Sequence, residues 1–255
     1  MTTIASPTEW LAVVASRQLR DHTTVFAGVG VPLLAAALAQ ATHAPNLTIV
    51  VEGGIVGPRI KPGRLPISTN EMRTAYRATM LTGITDTFLL AQRGALDVGF
   101  IGGAQIDPYG NVNTTVIGDY ARPKVRLPGT GGANDIASLC RQVIIVTAHE
   151  RRRFVPRVAF VTSPGWLDGA GGRERAGLRF GGVSGVVTTL GVFGFDPTTR
   201  RMRVDALHPG VTMDDVRANT GFEVLSADGI DTTAPPAADE LELLRALDPE
   251  RRFLG

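Results

Sequence analysis

Leu47-Thr48-Ile49-Val50-Val51-Glu52-Gly53-Gly54 is a short apolar, β-branched run that stops at a carboxylate and two glycines. An uninterrupted apolar run of this length predicts a strand buried on both faces, as in parallel sheets covered by helices. Glu52 then stands at the carboxyl end of a core strand, where open α/β sheets hold their ligands. Gly53 and Gly54 permit positive φ and a close approach by another backbone or by a substrate. Within these eight residues, a Glu52 that caps a strand in solvent and a Glu52 that faces a ligand are equally good readings.

Upstream, Thr23 to Ala27 predicts a second short strand. Gly28-Val29-Gly30-Val31-Pro32 turns it into an alanine-rich helix from Leu33 to Thr42, which returns through Ala44-Pro45-Asn46 to the opening run. Strand, glycine turn, helix and strand make a βαβ unit. The Gly-x-Gly lacks the third glycine of a dinucleotide fingerprint, so a helix-packing turn is expected there. Earlier still, Ser6-Pro7-Thr8-Glu9 has the chemistry of a helix start.

Downstream, Pro58, Pro62, Gly63 and Pro66 mark a surface connection, and Ser68-Thr69-Asn70-Glu71 can start a helix. A helix over Thr85 to Gly94 is expected to turn Phe88, Leu89 and Leu90 inward. Asp97 to Ile101 predicts another buried strand, ended by Gly102-Gly103, and Asp107-Pro108-Tyr109-Gly110 predicts a β-turn inside a hairpin. Gly129-Thr130-Gly131-Gly132-Ala133-Asn134-Asp135 precedes a helix and the strand Val143 to Thr147. Free N–H groups at a helix N-terminus suit an anion or an oxyanion; a tight turn with an Asn/Asp cap is the plainer reading and the stronger one for this motif alone. Val183 to Phe195 and Arg200 to Leu207 read as an antiparallel pair, and Thr212 to Asn219 and Asp239 to Leu247 as short helices. These elements predict an α/β fold, an open, mostly parallel sheet flanked by helices with an added antiparallel segment, in a single domain over residues 1–255.

A net charge of +2 and only two lysines, Lys61 and Lys124, leave no basic stripe for nucleic acid. Cys140, the one cysteine, excludes an internal disulfide and reads as a buried small hydrophobe. His22, His43, His149 and His208 are scattered without metal-ligand spacing, so no metal is expected. No apolar run approaches the roughly 20 residues that span a bilayer, and no secretory signal is read at the N-terminus. A cytoplasmic protein is expected.

Several long motifs then occur in one order: Phe100-Ile101-Gly102-Gly103-Ala104-Gln105-Ile106-Asp107-Pro108-Tyr109-Gly110-Asn111-Val112-Asn113, Gly129-Thr130-Gly131-Gly132-Ala133-Asn134, His149-Glu150-Arg151-Arg152-Arg153-Phe154 and Val161-Thr162-Ser163-Pro164-Gly165-Trp166. In these the chain resembles the β subunits of the family I CoA-transferases, of the glutaconate CoA-transferase type. The resemblance implies that Glu52 is the nucleophile. It also implies that the Gly131-Gly132-Ala133 loop faces the reacting carbonyl, with Gly53, Gly54, Gly103 and Gln105 as further substrate-binding candidates. Related enzymes often carry Ser or Asn where this chain has Gly53, so a contact made by that side chain is missing here. Arg151, Arg152 and Arg153 are expected to stay outside direct substrate contact.

The implied activity moves CoA between small carboxylic acids, dicarboxylic ones among them, with coenzyme A as substrate and no tightly bound cofactor. The implied partner is a homologous α subunit. A carboxylate is ionised at neutral pH and attacks a thioester without a general base. Each addition passes through a tetrahedral oxyanion that amide donors stabilise, and a covalent enzyme intermediate predicts ping-pong kinetics. Two alternatives keep the same fold: an acyl-CoA hydrolase or decarboxylase subunit, and a non-catalytic scaffold subunit.

Overall fold

The Ser6 hydroxyl accepts a hydrogen bond from the Glu9 N–H at 3.2 Å, and the Glu9 carboxylate accepts one from the Ser6 N–H at 2.7 Å. This reciprocal cap, with Pro7 in the first turn, starts α1 (Pro7–Ser16). The computed structural model describes residues 5–255. They form two compact units, one of the described residues up to Phe100 together with Pro235–Gly255, the other of Ile101–Ala234.

In the first unit, β1 (Thr24–Phe26), α2 (Val31–Ala41) and β2 (Thr48–Val51) realise the expected βαβ unit. The two strands are parallel, with Val25 opposite Ile49 and Phe26 opposite Val50. Ile49, Val50 and Val51 are buried, as an apolar run enclosed on both faces should be. The connection after Glu52 holds β3 (Ile55–Val56) and β4 (Met80–Leu81), which extend the sheet antiparallel from β2. Neither strand was visible in the sequence, because two-residue strands carry no period.

The start signal at Ser68 to Glu71 yields only a short 3₁₀ turn, Met72–Ala75, in place of a helix. Beyond it, α3 (Ile84–Gln92) buries Thr87 and Ala91, while Leu89 is exposed. Thr87 and Ala91 lie four residues apart on one helical face, which turns Leu89 away from that face and corrects the inward assignment. The buried strand β5 (Val98–Ile101) pairs parallel to β1 on the side opposite β2.

The second unit begins with a hairpin of β6 (Gln105–Ile106) and β7 (Val112–Asn113). Its turn is the expected one: the Gly110 N–H donates to the Asp107 carbonyl at 2.9 Å and Gly110 has φ +69°. Burial raises the Asp107 carboxyl above its ordinary range, although it accepts bonds from the Tyr109 and Asn111 N–H groups and from the Asn111 carboxamide. A second hairpin, β8 (Val116–Gly118) and β9 (Pro123–Arg126), leads to α4 (Ala133–Leu139) and β10 (Gln142–Thr147). Cys140 is fully buried at the end of α4.

After α5 (Gly172–Arg175), the segment read as one strand from Val183 to Phe195 is two, β11 (Val183–Thr188) and β12 (Gly191–Phe195). The Thr188 hydroxyl accepts from the Leu190 and Gly191 N–H groups and holds the turn between them. β11 runs parallel to β10, and β12 pairs antiparallel with both β11 and β13 (Met202–Leu207). α6 (Met213–Ala218) follows, then β14 (Leu225–Thr232), a largely exposed strand parallel to β13 whose polar sequence gave no strand signal. The chain ends in the first unit with α7 (Ala238–Leu247), which packs Leu241, Leu244 and Leu247 inward. The fold is the expected α/β one, parallel strands flanked by helices with antiparallel strands added.

Candidate active site

Val51 and Ile55 face each other as a pair at the end of β2 and β3, and the Gly54 N–H donates to the Val51 carbonyl at 3.0 Å. Glu52 and Gly53 are therefore the two corner residues of a tight turn that closes this hairpin. Gly54 has φ +97°, and a β-carbon there would collide with the Thr82 carbonyl. Its own carbonyl accepts from the Thr82 N–H at 2.8 Å, which locks the turn against β4. Both features demand glycine at position 54.

Gly53 has a different reason to be glycine. Its φ lies outside the positive region, so its backbone would accept a side chain. A β-carbon there would sit 2.6 Å from Asn70 Oδ1 and 2.7 Å from the Thr69 carbonyl oxygen. The space is filled by the neighbouring loop.

Glu52 is half-buried, and its carboxylate makes no hydrogen bond or ion pair with any described residue. A buried carboxylate elsewhere in this unit, that of Glu9, is committed. Glu9, only 1% exposed, is bound by Arg245 at 2.7 Å and 3.0 Å. That guanidinium holds the Glu9 carboxyl down at about 2 against the opposing effect of burial. Glu52, by contrast, projects from a rigid turn with its oxygens unengaged, as an attacking carboxylate requires.

In the second unit, Gly103, Gln105 and the glycine loop are tied to one segment, residues 113–115. The Ala104 N–H donates to the Asn113 carbonyl at 3.0 Å, and the Asn113 carboxamide donates to Gln105 Oε1 at 2.7 Å. Gln105 Oε1 also accepts from the Ala159 N–H at 3.1 Å. The Thr114 carbonyl accepts from the Gly129 N–H at 2.8 Å, and the Thr114 N–H donates to Thr162 Oγ1 at 2.9 Å. Asn134, just past the loop, donates to the Thr162 carbonyl at 2.7 Å.

Within the loop, the Ala133 N–H donates to the Thr130 carbonyl and the Asn134 N–H to the Thr130 hydroxyl. The N–H groups of Gly131 and Gly132 donate to no described atom. Gly131 has φ +48° and open space where a β-carbon would stand. The loop is thus a tight turn as in the plainer reading, but its side-chain acceptor is the Thr130 hydroxyl and not Asn134 or Asp135, and it leaves two amides uncommitted.

One residue emerges that sequence reasoning did not single out, Asn113, and another, Arg153, takes a supporting role that the sequence did not predict. Asn113 is fully buried and accepts from the Thr115 and Val116 N–H groups while it donates to Gln105. A buried amide at the end of a short apolar strand was the available signal. Arg153 donates from Nη1 to the Gly103 carbonyl at 2.6 Å, so it supports a predicted site residue from behind. Arg152 pairs with Glu150 on the surface, and Arg151 donates to the Ala218 and Thr220 carbonyls.

The family profile described as Coenzyme A transferase matches residues 8–219. The chain is 40% identical over 244 residues to the β subunit of a 3-oxoadipate CoA-transferase of Pseudomonas knackmussii, covering 95% of this chain and 93% of that one. It is 39% identical over 253 residues to the β subunit of a glutaconate CoA-transferase of Acidaminococcus fermentans, covering 96% and 94%. The crystal structure of glutaconate coenzyme A-transferase from the same organism superposes with a TM-score of 0.91 at 37% identity, over 99% of this chain and 98% of that one.

Proposed function

The chain belongs to the coenzyme A transferase family as a CoA-transferase β subunit, and from that premise we propose that Glu52 is the nucleophile of a transfer between dicarboxylic acids. The unengaged carboxylate of Glu52, held at the corner of a turn that only glycine at position 54 allows, carries the reading. Support for the acid class comes from the relatives named for 3-oxoadipate and glutaconate, both dicarboxylates.

The chemistry follows from the carboxylate. One Glu52 oxygen attacks the thioester carbonyl carbon of the donor, and collapse of the tetrahedral oxyanion expels CoA thiolate and leaves an acyl-glutamyl anhydride. The thiolate then attacks the glutamyl carbonyl, forms a Glu52–CoA thioester and releases the donor's acid as its carboxylate. An acceptor carboxylate reverses both steps, leaving a new acyl-CoA and a free Glu52. No proton is gained or lost in the net exchange. The uncommitted N–H groups of Gly131 and Gly132 are assigned as donors to the oxyanions. Gly54, Gly103 and Gln105 are assigned to shaping the substrate's surroundings. Exclusion of water protects both covalent intermediates from hydrolysis.

The proposed partner is a homologous α subunit, consistent with the naming of both relatives as one subunit of their enzymes. The proposed location is the cytoplasm; no helix among the described residues is long and apolar enough to cross a membrane. Co-expression of the two chains, followed by an assay of CoA exchange between a dicarboxylic acyl-CoA and a free diacid, tests the reading. Exchange lost in Glu52→Gln with the complex intact supports it. Exchange retained in that variant removes Glu52 from the reaction.

A further inference from the structure

Position 53 follows the nucleophile directly, and in this chain it offers no side chain. The space where that side chain would start is taken by Asn70, whose Oδ1 lies 2.6 Å from the β-carbon that residue 53 lacks. Consecutive Cα atoms are 3.8 Å apart, so Asn70 Oδ1 lies within about 8 Å of the Glu52 Cα. Asn70 is exposed, and neither Oδ1 nor Nδ2 of its carboxamide bonds to any described residue; only its backbone N–H is engaged, with the Ser68 hydroxyl at 3.4 Å.

The segment that presents Asn70 is held in place. The Glu71 carboxylate accepts from the Ile67 N–H at 2.6 Å and from the Ser68 N–H at 3.1 Å, and it pairs with Arg73. The Glu71 N–H donates back to the Ser68 carbonyl at 3.3 Å. The backbone that carries Asn70 is therefore held beside the turn of the nucleophile, and the carboxamide keeps its donors and acceptor unspent. A glycine at 53 and an asparagine at 70 fit as a pair: a larger residue 53 would displace Asn70.

We infer that Asn70 is a specificity-determining residue, its carboxamide donating from Nδ2 to the terminal carboxylate of a dicarboxylic acyl group bound at Glu52. The inference rests on the proposed function and deepens it. A hydrogen bond to a charged group is worth about 1.5–3 kcal/mol, which is roughly ten- to hundredfold in binding or in kcat/KM.

The test uses the α/β complex and two donors of equal chain length, glutaryl-CoA and pentanoyl-CoA, with wild type, Asn70→Ala and Asn70→Asp. Asn70→Ala is expected to lower kcat/KM at least about tenfold more for glutaryl-CoA than for pentanoyl-CoA. Asn70→Asp, which sets an anion against the substrate's carboxylate, is expected to lower it further. A purely structural role for Asn70 would lower both donors alike. Calorimetric titration of glutarate into the Glu52→Gln complex needs no turnover, and there Asn70→Ala is expected to weaken binding by about tenfold or more. An unchanged glutarate Kd together with an unchanged donor ratio overturns the Asn70 assignment. A weakened Kd, with the wild-type complex exchanging no CoA, supports Asn70 and overturns the transfer reading alone.

Discussion

Arg153 Nη1 donates to the Gly103 carbonyl oxygen at 2.6 Å. The bond joins the end of the arginine triplet to the glycine turn that follows β5, so Arg153 shapes the backbone of a site candidate. Removing it leaves the carbonyl without its charged donor, a loss of about 1.5–3 kcal/mol. Arg153→Ala is expected to lower the urea unfolding free energy by that amount. Arg153→Lys should recover only part of it, because a lysine cannot reproduce the guanidinium's reach and planarity.

Gly54 permits a second backbone prediction. Ala at this position would combine a left-handed φ with a collision at the Thr82 carbonyl. Gly54→Ala is expected to cost at least about 2 kcal/mol and to abolish CoA exchange in the folded fraction, since it moves the turn that carries Glu52. Normal exchange in that variant would show that the turn geometry is dispensable.

Glu9 predicts acid sensitivity. Its folded pKa, about 2, lies below the ordinary 4.5. Stability from its pairing with Arg245 is complete at neutral pH and is lost as pH falls from about 4.5 toward 2. Arg245 is partly exposed, so solvent screening reduces the contribution below what the shift alone would give. Glu9→Gln is expected to be less stable at pH 7 and to show a flatter decline in Tm over that window.

His149 predicts a separate dependence. It stacks on Phe154 with ring centroids 4.0 Å apart and lies within hydrogen-bond reach of the Thr188 and Thr220 hydroxyls. Burial lowers its pKa to about 4. The folded state holds the neutral ring while the unfolded chain takes a proton, so stability is full above about 6.5 and falls as pH drops toward 4. His149→Phe keeps the stack and is expected to remove this part of the pH dependence, measured by denaturant unfolding at pH 7, 6 and 5.

The parts of the fold that sequence made legible are those with a period or a stop signal. The βαβ unit, the Asp107–Gly110 turn and the Ser6 cap each rest on local chemistry that the structure keeps. Among the missed strands, Ile55–Val56 and Met80–Leu81 are two residues each, Val116–Gly118 and Pro123–Arg126 are three and four, and Leu225–Thr232 is polar and exposed. Glu52 was legible as a strand-end carboxylate, but its place in a hairpin turn was not, because β3 was invisible. Asn70 was beyond reach for a similar reason. Its approach to Gly53 is a tertiary fit across 17 positions of chain, and nothing in the sequence near either residue encodes the distance.

The central claim is that CoA becomes covalently attached to Glu52. The most direct measurement incubates the α/β complex with acyl-CoA alone, treats it with borohydride and maps the modified residue by peptide mass spectrometry. Conversion of the Glu52 side chain to its alcohol, absent without acyl-CoA and absent in Glu52→Gln, is the result expected. An unmodified Glu52 in a complex that is exchanging CoA would contradict the account.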